Sequence, residues 1–105
     1  MGMFCVAAPA RERHFLEVKI LETRLAVMSI IVEDPASVER LNAILHEYGE
    51  FIIGRMGIPY RKRQISIISI AMDAPQNILS SMAGKIGSLP GISVKTAYSS
   101  NIYQD

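Results

Sequence analysis

Two stretches of this chain share one layout forty residues apart, and that repeat restricts the fold more than any other feature. Ser29, Ile30 and Pro35 return as Ser69, Ile70 and Pro75, and acids stand just ahead of the prolines at Asp34 and Asp73. In the first copy, Leu25 to Val32 is a near-continuous β-rich run that predicts a strand buried on both faces. Asp34 followed by Pro35 predicts a helix start, with an N-cap acceptor before a proline at the first helical position. Val38, Leu41, Ile44, Leu45 and Tyr48 recur at helical spacing, and Gly49 is expected at the C′ position. Phe51, Ile52 and Ile53 begin a second strand, expected to break at Gly54 and Gly57.

The second copy follows the same logic. Ile65 to Met72 predicts a third strand, and Pro75 opens a helix with Ile78, Leu79, Met82 and Ile86 on one stripe and Gly87 as its stop. Pro90-Gly91 turns into a last strand over Ile92 to Tyr98. A β-α-β-β-α-β order closes most economically as an α+β, ferredoxin-like sandwich, with a four-stranded antiparallel sheet and both helices on one face. Residues 24–105 are expected to form this domain. Residues 1–23 read as an extension in which strand, helix and poorly ordered chain all remain open, because Leu16, Val18 and Ile20 alternate while Phe15, Leu16, Lys19 and Ile20 also fit a helical face.

This fold leaves one sheet face without helices. Yet Leu25, Val27 and Ile31 oppose Ala26, Met28, Ile30 and Val32 on the first strand, and Ile65 and Ile67 oppose Ile68, Ile70 and Met72 on the third. A sheet with one wet face carries polar residues there. The expectation is therefore that the face is covered, most simply by a second copy in a homodimer or homotetramer, with the N-terminal extension as the other possible cover.

Eleven basic and ten acidic side chains in 105 residues leave a net charge near +1, which argues against a surface wholly devoted to nucleic acid. The single Cys5 excludes an internal disulfide framework or a multi-cysteine metal site. No apolar run approaches the ~20 residues that span a bilayer, so no membrane role is expected and a cytoplasmic location is the default.

Chemistry concentrates between His46 and Arg63. The serines have no G-x-S-x-G elbow or evident histidine partner, so no hydrolytic machinery is expected. His46 is a weak metal candidate, with Glu50 where a second histidine would stand at i+4. Gly54-Arg55-Met56-Gly57 lacks a third glycine and opens no helix, so it is no dinucleotide fingerprint. Two glycines in a strand mark a bulge or a close approach of backbone, and the same bareness admits a ligand or a neighbouring chain. Arg55, Arg61, Lys62 and Arg63 form the only dense basic group, with Tyr60 beside them. One reading is a solvated loop that keeps an edge strand from aggregating. The other is an anion site in which arginines fork onto a carboxylate or phosphate. The candidate ligand contacts are thus Gly54, Arg55, Gly57, Tyr60 and Arg61, with Asp34 at the first strand–helix junction. A small dimeric enzyme would have to draw on His46, Tyr48, Tyr60 and Arg55.

The segments RLAVMSIIVED, NAILHEYGEFIIGRMGIPYR, ISIISIAMDAP and GKIGSLPGISVKTAYS closely resemble the iron-only hydrogenase system regulator family. These are small bacterial proteins with an ACT-like domain, akin to the regulatory domain of nickel-responsive repressors. The resemblance spans about residues 23–100 and is most specific from His46 to Tyr60. It implies a ferredoxin-like ACT-type domain that oligomerises through its sheet, binds a small effector at a subunit interface and acts in regulating hydrogenase synthesis or maturation. Together with the two-sided apolar sheet and the lack of catalytic groups, this gives the expectation of a non-catalytic module that passes its signal to a regulatory protein partner. The resemblance names no cofactor. The nickel repressors also carry a ribbon-helix-helix DNA-binding domain and a histidine-rich nickel site. The region before Arg24 is too short for the first and His46 alone does not make the second, so neither direct nucleic-acid binding nor nickel sensing carries over.

Overall fold

The computed structural model describes residues 22–104. Five strands and two helices follow one another: β1 (Glu22–Val32), α1 (Val38–Glu47), β2 (Ile52–Tyr60), β3 (Ile65–Ala74), α2 (Gln76–Gly87), β4 (Ile92–Tyr98) and the short β5 (Tyr103–Gln104). The main sheet runs β2-β3-β1-β4 with every pair antiparallel, and β5 pairs with the start of β1. With both helices packed on one face, this is the ferredoxin-like arrangement expected from the repeat.

The core forms where the alternating strand residues meet the helix stripes. Met28, Ile30, Ile70 and Met72 are fully buried in the two central strands, against Leu41 and Leu45 of α1 and Leu79, Met82 and Ile86 of α2. Asp34 caps a 3-10 turn, Pro35–Ser37, that leads into α1, its Oδ1 accepting the Ala36 N–H at 3.0 Å, and Pro35 takes the position where a missing N–H costs nothing.

The structure adds local detail at four places. Gly49 is not a left-handed helix stop: Tyr48 caps α1, and Gly49 to Phe51 make a 3-10 turn that takes Phe51 out of the strand. Gly87 does end α2, as its last helical residue, and among the described residues only Gly91 is a positive-φ glycine. A Cβ on Gly87 would lie 3.3 Å from Val94 Cγ1, so packing of α2 on β4 accounts for the small residue. β2 does not break at its glycines; it runs unbroken to Tyr60, with one register shift between Ile52 and Gly54 that makes Ile53 the bulged residue. Finally, β1 begins at Glu22, two residues before the expected boundary at 24, because β5 pairs with Glu22 and Thr23. The proposed Leu16–Ile20 element lies outside the described residues.

Candidate functional site

The candidate ligand residues do not converge on one place. Register decides this, since paired residues of an antiparallel ladder share a face. Arg55 stands opposite Ile70 and Gly57 opposite Ile68, both core positions, so they belong to the helix side of the sheet. Gly54 stands opposite Ala71 and Tyr60 opposite Ile65, on the open side. Along β2, Arg55 and Tyr60 are five residues apart, about 16 Å at the usual rise. Arg61 lies in the 3-10 turn Arg61–Arg63, which closes the β2–β3 hairpin with Gln64 in the left-handed region at φ 57°.

Asp34 shares the hairpin's end of the sheet, because Val32 pairs with Ser66. Its surroundings are filled. The Glu33 N–H donates to the Gly91 carbonyl at 2.7 Å, and the buried Ser37 Oγ donates to the Pro90 carbonyl at 2.6 Å. With its own carboxylate engaged at Ala36, Asp34 is a cap at a closed junction.

The opposite end, where α1 runs out over the start of β2, carries a shallow open recess of about 380 Å³. Leu45 and the half-buried Ile52 form its floor, and Asn42, His46, Gly49 and Arg55 its rim. His46 and Arg55 thus both border it, a pairing invisible in sequence because one sits on α1 and the other on β2 with no motif linking them. Glu47, next to His46, points to α2 and pairs with Lys85 Nζ at 3.1 Å. That Lys85 ammonium also lies 5.1 Å from the Tyr48 ring centroid. Contact with Tyr48 first, and with Glu47 second, raises its pKa above the ordinary 10.5. Among the described residues no three His, Cys, Asp or Glu side chains gather into a metal cluster, and no helix is long and apolar enough to cross a membrane.

The open face is organised in cross-strand rows. Ile58, Ile67 and Ile31 stand side by side across β2, β3 and β1; next come Met56, Ser69 and Ser29, then Gly54, Ala71 and Val27. No described element covers them: Leu25 is 37% exposed, Ile31 and Ile67 each 42%, Val27 44%, Ile58 51% and Met56 60%.

The chain resembles known proteins over this same domain. Residues 24–96 match the family described as "TM1266-like: Iron-only hydrogenase system regulator, putative". Among solved structures it is similar to the uncharacterized protein TM1266 from Thermotoga maritima, at 27% identity and a TM-score of 0.70, over 72% of this chain and 96% of that one. No functionally curated protein matches it. The family match spans the repeat, the sheet and the recess alike, and the chain belongs to the iron-only hydrogenase system regulator family.

Proposed function

We propose that this protein is a non-catalytic regulatory module of an iron-only hydrogenase system, working in the cytoplasm as an ACT-like homo-oligomer that senses a small molecule and signals through a partner protein. The exposed apolar rows on the open sheet face carry the reading. Six large side chains, Leu25, Val27, Ile31, Met56, Ile58 and Ile67, share that face. Because each is already about half covered, burying it against a second copy is worth roughly 1 kcal/mol. To one side of the isoleucine row, the next two rows mix small residues (Ser29, Ser69, Ala71, Gly54) with Met56 and Val27, a surface on which a two-fold copy can seat its own bulk. Gly54, on the open face, has nothing within 4 Å of an added Cβ, so the single chain does not itself require glycine there and its bare backbone is open to approach by a second chain.

Native mass spectrometry with light scattering tests the reading on the full chain. A dimer or tetramer that Ile67→Asp and Val27→Asp each convert to folded monomer supports it; an oligomer unmoved by both changes, or a wild-type monomer, sinks it. A second reading, an adaptor or nucleic-acid contact through Arg61–Arg63, draws on the exposure of that turn and the absence of any ion pair there among the described residues. Binding through so few charges would weaken steeply with salt.

A further inference from the structure

We infer that the recess between α1 and β2 is a binding site for a small carboxylate with a short apolar body. This rests on the sensing function proposed above and deepens it by naming the ligand class. The decisive residue is Arg55. It stands on the helix side of an edge strand, opposite the fully buried Ile70, and is one of the residues that line the recess. Arg55 is exposed, as edge-strand cations are, but it also borders a concavity together with Leu45 and Ile52.

Among the described residues, Arg55 and His46 have no ion-pair or side-chain hydrogen-bond partner. No acid lines the recess. Glu47, the nearest acid in sequence to His46, is turned away by Lys85, while Glu39 and Glu50 lie near the recess in sequence but outside its lining. The lining therefore combines a planar two-pronged donor, an imidazole, a carboxamide and an apolar floor, without a competing anion. A guanidinium recognises a carboxylate through two parallel N–H···O bonds. Asn42 and His46 add donors on the facing wall, and Leu45 and Ile52 offer contact to an alkyl body rather than to a second charged group. Inorganic phosphate would use the arginine but leave the floor empty. The geometry thus separates the two anions.

The test is an NMR titration of the isotopically labelled full chain at constant ionic strength with acetate, 4-methylpentanoate and inorganic phosphate. The expected result is saturable shifts at amides 42–49 and 52–55 and at the Arg55 side chain. The branched acid should bind about tenfold tighter than acetate. Arg55→Gln, at an exposed position, should abolish the shifts and leave the remaining spectrum intact, while Lys62→Gln should change nothing. Equal binding of phosphate and the branched acid overturns the carboxylate assignment. Shifts that survive Arg55→Gln, or no saturable shift with any probe, overturn the site. The sensing reading stands or falls separately: an effector that co-purifies in native mass spectra and maps elsewhere would preserve sensing while removing this recess from it.

Discussion

Asp34 and Gly91 meet backbone to backbone, so closely that a Cβ on Gly91 would lie 2.5 Å from Asp34 Cβ and 2.9 Å from its nitrogen. The contact fastens the end of β1 to the turn that starts β4, beside the Glu33–Gly91 hydrogen bond. Gly91 also sits at φ 70°, where a side chain is strained even in open space. Gly91→Ala should therefore destabilise the fold by about 2–4 kcal/mol, read as a shifted urea midpoint at unchanged slope.

The neighbouring Ser37 tests the same junction without backbone strain. It is fully buried and its hydroxyl donates to the Pro90 carbonyl. Ser37→Ala leaves that acceptor without its partner, with an expected loss of about 1–2 kcal/mol in denaturant unfolding.

Gln64 points the other way. Its left-handed backbone at φ 57° closes the β2–β3 hairpin and costs a non-glycine residue about 1 kcal/mol. Gln64→Gly should relieve the strain, partly offset by the added freedom of the unfolded chain, and thermal unfolding should show a small rise in midpoint.

The two faces of β1 should respond differently to the same truncation. Met28 is fully buried opposite Ile70, so Met28→Ala should cost about 2–5 kcal/mol whatever the assembly. Ile31 is 42% exposed in the single chain. If a second copy covers this face as proposed, Ile31→Ala should act mainly on its dissociation, visible in sedimentation across a dilution series.

Lys85 gives a pH test. Its raised value means the contact with Tyr48 and Glu47 is fully present below the ordinary lysine pKa of 10.5 and fades as pH climbs through the higher folded value. An NMR titration should place Lys85 above the other lysines, and Tyr48→Leu should lower it more than Glu47→Gln.

The repeat around Ser29 and Ser69 made most of the fold legible, because strand alternation and helical stripes imprint directly on residue type. It misled where one residue type serves several causes. Gly49 and Gly87 look alike as helix stops, yet Gly49 begins a 3-10 turn, while Gly87 does end its helix and also makes room for Val94. Gly54 and Gly57 look like breaks, yet β2 runs through both, with its one irregularity, the bulge at Ile53, just ahead of Gly54. The clustering of Arg55, Tyr60 and Arg61 in sequence suggested one site. Strand alternation then sent Arg55 to the helix side and Tyr60 to the open side. The recess itself pairs α1 with β2 across a loop, and no local pattern announces that contact.

The bare isoleucine row also has a consequence for how much of this protein must be present. If a second copy is what covers Ile31, Ile58 and Ile67, stability is a property of concentration as well as of sequence. Dilution then acts as a denaturant, and the melting temperature rises with the amount of protein in the tube. A cell that makes too little of it would hold the chain in its least protected form, open to proteases. The regulator's own abundance would then set a threshold below which it does not persist.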